Sequence, residues 1–274
     1  MTGADVPRVT AAWLALREPA DAAARAAQLV EPLRRHLAGT GPTVVHDLGS
    51  GTGAMGRWLA PRLPGPQHWI MYDRDPDLLA NATSGRAVAA DGAPVTVETR
   101  QRDITRLTAG DLAGASLVTA SALLDMLTAD EIDRIVAACT GAGCPALLTI
   151  SVTGRVELTP PDPLDADIVE AFNAHQRRTT GGRRLLGPDA VDATIGVFRR
   201  RGARVLVRPS PWRLGADRAD LMSEWLRGWV EAAGEQRPEL AGPVARYARR
   251  RLAEAAEGRL RAVVEHTDIL AGCD

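Results

Sequence analysis

The segment Val44-Val45-His46-Asp47-Leu48-Gly49-Ser50-Gly51-Thr52-Gly53-Ala54-Met55-Gly56 constrains the fold more than any other stretch of the chain. A β-branched run meets three alternating glycines, and a helix-compatible stretch from Ala54 to Leu63 follows. That order predicts a strand, a tight turn and a helix opening, which together bring backbone N–H groups up to a ligand. The carboxylate of Asp47, two residues ahead of the first glycine, narrows which ligand.

Two nucleotide-type ligands compete for such a loop. Gly51-Thr52-Gly53-Ala54-Met55-Gly56 spells the dinucleotide fingerprint, and Asp73 follows Gly51 at the spacing of about 20 residues that the fingerprint requires. A pyrophosphate wants amide donors and no anion nearby. Asp47 at the mouth of its site would repel it by about 1–4 kcal/mol at realistic dielectrics. A cationic ligand reverses that sign.

Further acids follow in order. Trp69-Ile70-Met71-Tyr72-Asp73 is a second apolar run ending in a carboxylate, which can accept both ribose hydroxyls of an adenosine. Val95-Thr96-Val97-Glu98-Thr99 reads as a third strand, followed by Arg102-Asp103-Ile104. Ser116-Leu117-Val118-Thr119-Ala120-Ser121 is a fourth, followed by Ala122-Leu123-Leu124-Asp125. The bland reading is that Asp73, Asp103 and Asp125 are helix N-caps, ordinary at such junctions. Four acids at four successive strand ends are harder to obtain by accident.

With these acids in register, Asp47-x-Gly49-x-Gly51-x-Gly53 resembles motif I of the class I, Rossmann-like S-adenosylmethionine-dependent methyltransferases, over roughly residues 40–151. The resemblance implies S-adenosyl-L-methionine as cofactor, a ligand with a sulfonium and an ammonium and no phosphate. It implies cofactor contacts from Asp47, Gly49, Ser50, Gly51 and Gly53, from Asp73 and Arg74 after the second strand, from Asp103 and Ile104 at the adenine, and from Ser121. Arg74 lies either over the adenine or in solvent.

Composition excludes several chemistries. The 274 residues suffice for one large domain or a core with insertions. No apolar run approaches the roughly 18 residues of a membrane span. Met1-Thr2-Gly3-Ala4-Asp5-Val6-Pro7 lacks a basic-then-apolar leader, so a cytoplasmic location is expected. Cys139, Cys144 and Cys273 have no metal spacing, and no metal site is expected. All 33 basic side chains are arginine, which leaves no Schiff-base, Walker or kinase-type lysine. A net charge of −1 argues against a nucleic-acid partner. The clusters Arg199-Arg200-Arg201 and Arg249-Arg250-Arg251 fall on helical stretches and read as solvated faces.

Along the chain, residues 1–40 form an N-terminal helical segment and 41–151 the cofactor-binding core. Residues 152–187 are an inserted lid, and 188–274 complete the sheet, with a helical excursion at 211–258. Strands are expected near 43–47, 67–73, 95–100, 115–121, 145–151, 203–208 and 260–266, and helices near 54–62, 76–82, 129–139 and 188–201. Alternating strands and helices predict an α/β fold with a doubly wound, mostly parallel sheet. The resemblance implies seven strands, the last antiparallel. An insertion after a strand's C-terminal end hangs over the ligand crevice of an open α/β sheet. In the excursion Trp225 and Trp229 share a helix face, either as core, as a pocket wall or as a homodimer surface.

Methyl transfer needs an aligned nucleophile, exclusion of water and, for a hydroxyl or protonated amine, removal of a proton. Among the histidines, His46 reads as packed, His36 and His68 as exposed, and His266 as structural. His175, in Phe172-Asn173-Ala174-His175-Gln176-Arg177-Arg178 of the lid, is equally a general base, a substrate contact or a structural hydrogen-bonding group. Arg177 either binds an acidic group on the acceptor or is solvated. The reading is a methyltransferase for a small-molecule acceptor in bacterial secondary or cofactor metabolism. An NAD-dependent oxidoreductase and a non-catalytic methyltransferase-like binding protein are the rivals.

Overall fold

The computed structural model describes residues 9–39, 41–82 and 88–273. Helices α1 (Ala11–Ala24) and α2 (Val30–Leu37) lead into β1 (Thr43–Leu48). There follow α3 (Ala54–Leu59), β2 (Gln67–Asp73), α4 (Pro76–Ala82), β3 (Val95–Gln101) and β4 (Leu117–Ser121). Next come α5 (Ala129–Gly141), whose start is fixed by a Thr128–Glu131 capping box, and β5 (Ala146–Thr159). After α6 (Asp165–Gln176) comes a hairpin of β6 (Thr179–Thr180) and β7 (Arg183–Arg184). Helix α7 (Ala190–Arg200), β8 (Val205–Pro209), β9 (Trp212–Leu214), α8 (Ala219–Gln236), α9 (Ala241–Ala256) and β10 (Arg261–Ala271) complete the chain.

The main sheet runs β3-β2-β1-β4-β5-β10-β8, with β9 also on β10. Strands β1 to β5 are parallel, and β10 is antiparallel to both its long neighbours. The dinucleotide-binding order 3-2-1-4-5-6 has no such inserted antiparallel strand. Buried strand residues alternate between two cores, as the period of two requires. Val45, Trp69, Met71 and Leu117 pack toward α2, α3 and α4, whereas Leu48, Ile70, Tyr72 and Val118 pack toward α5 and α7. A third core joins the far ends of β5 and β10 (Leu158, Ala262, Val264) to α6, α8 and α9.

Three local expectations change. Strand β5 continues eight residues past 151, to Thr159, because it keeps pairing with the long β10. Residues 152–187 are therefore a strand extension to Thr159, then helix α6, then the β6–β7 hairpin. The excursion from 211 opens with β9 before its helices, since Trp212 to Leu214 pair with Val264 to Ala262. Arg251 is buried rather than solvated: Asp165 and Glu254 bind its guanidinium at 2.7 and 2.8 Å.

Candidate functional site

The C-terminal ends of β1, β2, β3 and β4 share one sheet edge because these strands are parallel. That edge gathers Asp47 with the glycine turn, Asp73, Asp103 and Ser121. Glycine is required at position 51: φ is +53°, and a Cβ would stand 2.8 Å from Leu14 Cδ1 of α1. Leu123 closes on Gly49 in the same way, at 3.1 Å. Helix α1 and the loop after β4 thus cover the turn from two sides.

Asp47 is buried, and Thr119 Oγ1 donates to its Oδ1 at 2.7 Å. Burial pushes its carboxyl up to about 7, against the Thr119 bond and the nearby Arg25 charge. Its Oδ2 has no partner, nor has the buried Ser50 Oγ. Arg25, from the segment joining α1 to α2, is likewise buried and sits among Asp21, Asp268 and Asp47. Its Nη2 donates to Ser121 Oγ at 3.1 Å, while Nε and Nη1 are unpartnered. Buried polar groups are nearly always satisfied, so these orphaned acceptors and donors side by side fit a ligand carrying both an ammonium and a carboxylate. The methionine end of S-adenosylmethionine is such a zwitterion.

Asp73 accepts from Gly51 N at 2.9 Å and from Asp75 N at 3.0 Å, so the tip of β2 holds the glycine turn. Arg74 is exposed, and its carbonyl accepts from Gln101. Asp103 is exposed and caps the short turn Ile104–Arg106 by accepting from Thr105 N at 3.0 Å. The adjacent Ile104 is buried. The cap uses Oδ1, and the exposed Arg106 pairs with Oδ2 at 3.4 Å, so a ligand contact at this carboxylate would compete with Arg106.

Beside this edge lies a cavity of about 150 Å³. Trp13 and Arg17 of α1, Phe172, Asn173 and Gln176 of α6, and Trp225 and Trp229 of α8 form its walls, with Trp212 of β9. Its floor includes Ala122, Asp125, Ile150 and His266. Among the described residues Ala122 and Ile150 are the two non-glycines with positive φ, at 52° and 54°. A β-branched residue there is strained, and strain held by the surrounding structure gathers at functional sites. Ile150 is held because its N–H donates to Asp268 Oδ1 at 2.7 Å across a register shift between β5 and β10. The low-dielectric cavity pushes Asp125 up to about 6 by burial. Burial and the Arg17 charge push His266 down to about 3, so its imidazole is neutral.

His175 and Arg177 do not reach this cavity. His175 Nε2 pairs with Glu235 at 3.1 Å, and Arg177 pairs with Asp189 through two contacts of 2.6 and 2.7 Å. The reason is helical period: Val169, Phe172, Asn173 and Gln176 form the inward stripe of α6, and His175 lies off it. The titratable side chains that do line the cavity include Arg17, Asp125 and His266. The spacing Phe172–Gln176 and the acid closing the loop after β4 were the available signals for the wall and for Asp125. Arg25 had none, since its site is built by tertiary contact.

Residues 45–142 match the family model described as a methyltransferase domain. Among solved structures, the cyclopropane synthase MmaA2 from Mycobacterium tuberculosis is 13% identical, with 89% of this chain and 83% of that chain covered at a TM-score of 0.48. A Geobacter sulfurreducens S-adenosylmethionine-dependent methyltransferase, in complex with S-adenosyl-L-homocysteine, is 18% identical, with 97% and 98% covered at 0.44. The Bacillus subtilis protein YcgJ is 11% identical, with 89% and 97% covered at 0.46. At TM-scores below 0.5 these three likenesses carry no argument. No curated protein matches the chain.

Proposed function

We propose that the chain, whose residues 45–142 match a methyltransferase-domain family model, is an S-adenosylmethionine-dependent methyltransferase of the Rossmann-like class and transfers a methyl group to a small-molecule acceptor held in the 150 Å³ cavity. One observation carries this reading. The unpartnered Asp47 Oδ2 and the unpartnered Arg25 donors lie on the edge that also presents the glycine turn and Asp73, and the cavity opens beside the same edge. When bound, S-adenosylmethionine supplies an electrophilic methyl carbon on a sulfonium.

The chain's own residues do the rest. Asp47 and Ser50 receive the ammonium, Arg25 the carboxylate, and the glycine turn admits the backbone approach. Asp73 accepts the ribose hydroxyls; Asp103, Ile104 and Ser121 border the adenosine and methionine portions, and Arg74 stands over the outer edge. The aromatic walls exclude water, and Asp125 is the group placed to take a proton from the acceptor. A cavity of this size supports a compact acceptor.

Calorimetric titration with S-adenosylmethionine tests the reading directly. Binding by the native protein, weakened in Asp47→Asn and in Arg25→Met, is expected. Absence of binding by the native protein would end it. Among the described residues no helix is long and apolar enough to cross a membrane, and no group of three or more His, Cys, Asp or Glu could hold a metal ion.

A further inference from the structure

The cavity's unpartnered atoms and its size say more about what fills it. Three buried polar atoms on its walls have no partner: Gln176 Oε1, Trp229 Nε1 and His266 Nδ1. The first can only accept and the second can only donate. A hydroxyl does both at once, donating to Gln176 and accepting from Trp229. The other end of the Gln176 amide donates to Asp125 Oδ2 at 3.3 Å. Because only its NH2 can donate to a carboxylate, Oε1 is the end of the amide turned away from Asp125, and Gln176 and Trp229 line the same cavity.

The walls between these anchors are aromatic. Trp225 and Trp229 stack at 5.2 Å with planes 17° apart, and Trp212 lies 5.2 Å from the His266 ring. The Arg17 charge is already answered, since Asp21 binds it at 2.9 and 3.2 Å and it lies 5.0 Å over the Trp212 ring, and the Asp125 carboxylate calls for a neutral hydrogen-bond donor. A flat, neutral occupant is therefore favoured over an ion. The volume decides its size, since a cavity of about 150 Å³ holds one benzene-sized ring.

Resting on the methyltransferase reading, we propose that the acceptor is a single aromatic ring with two adjacent hydroxyls, one facing Asp125 and the other bridging Gln176 and Trp229. In the transfer, the hydroxyl facing Asp125 gives its proton to that carboxylate. Its oxygen forms the bond to the methyl carbon as the carbon–sulfur bond breaks, and that electron pair stays on sulfur. The products are an aryl methyl ether and S-adenosylhomocysteine, and Asp125 returns its proton to water.

Calorimetry with the full chain, without cofactor, tests the site by itself. Benzene-1,2-diol is expected to bind at least about tenfold tighter than toluene or benzene-1,4-diol, the gain from two satisfied buried polar groups. Naphthalene-2,3-diol, with the same hydroxyls on two rings, is expected not to bind. Trp229→Phe removes only the N–H and is expected to weaken the 1,2-diol about threefold or more while leaving toluene unchanged. No saturable binding of the 1,2-diol, equal binding of toluene, or binding of the naphthalene diol would each overturn the proposal. A separate titration with S-adenosylmethionine keeps the two readings apart: its failure beside intact diol binding sinks the methyltransferase reading, and the converse sinks only the acceptor.

Discussion

Asp73 Oδ2 accepts the backbone N–H of Gly51 at 2.9 Å, so the acid at the tip of β2 fastens the glycine turn at the end of β1. The same carboxylate is the group proposed to accept the ribose hydroxyls. Asp73→Ala therefore removes a loop anchor and a ligand acceptor together. Affinity for S-adenosylmethionine is expected to fall by about tenfold or more, since hydrogen bonds to charged groups contribute about 1.5–3 kcal/mol. Calorimetry with the native and variant proteins measures it, and unchanged affinity would remove Asp73 from the site.

The raised Asp47 carboxyl makes binding depend on pH. With a folded-state value of about 7, Asp47 is protonated below that pH and must ionise to receive an ammonium. Affinity for S-adenosylmethionine is expected to drop about tenfold per pH unit below pH 7 and to level off above it, with a proton released on binding. The ligand-free fold has the opposite tendency. A carboxyl raised from its ordinary value contributes stability that is lost as pH rises from about 4 to 7. Asp47→Asn is expected to abolish both slopes, read by titration across pH and by melting curves.

Gly51 and Leu14 are coupled through space. Gly51→Ala puts a side chain at φ +53°, a cost of about 1–2 kcal/mol, and drives its Cβ into Leu14. The double variant Gly51→Ala/Leu14→Ala is expected to be more stable than the sum of the two single changes predicts, because the clash disappears while the backbone cost stays. Denaturant melts of the four proteins give the coupling directly, and strict additivity would show that α1 does not press on the turn.

Arg25 serves stability and binding together. Its guanidinium is buried among Asp21, Asp268 and Asp47, so Arg25→Met, which keeps the bulk and removes the charge, leaves these carboxylates uncompensated and is expected to lower the melting temperature. The same variant is expected to lose S-adenosylmethionine affinity. A protein that loses stability and keeps affinity would make Arg25 a purely structural residue.

Asp268 holds the strained floor. It accepts from Ala26 N at 2.7 Å, Ile150 N at 2.7 Å and Ser210 Oγ at 2.6 Å. Asp268→Ala orphans these donors at once and is expected to cost about 3 kcal/mol or more. A loss under about 1 kcal/mol in denaturant melts would show that the three elements are tied elsewhere.

Much of this architecture is legible in the sequence, and the reason is local. Val44 to Gly56 specifies strand, turn and helix within one short window, and the acids at 73 and 103 fall at predicted strand ends. The antiparallel position of β10 came from resemblance, not from its residues. What the sequence hid depends on partners far away in the chain. The length of β5 is decided by pairing with β10, more than a hundred residues on. Arg25 acquires meaning only beside Asp47 and Ser121, and Arg251 is buried by Asp165 and Glu254 despite lying in an arginine run. For His175, a run of polar residues drew attention that the helical period of its neighbours directed elsewhere.

One helix serves as a common roof. Leu14 of α1 presses on the glycine turn while Trp13 and Arg17, on either side of it in sequence, wall the aromatic chamber, and Glu18 latches to Arg57 of α3 at 2.7 Å. A displacement of α1 would therefore disturb the glycine turn and the chamber wall at once, because one helix is shared by both.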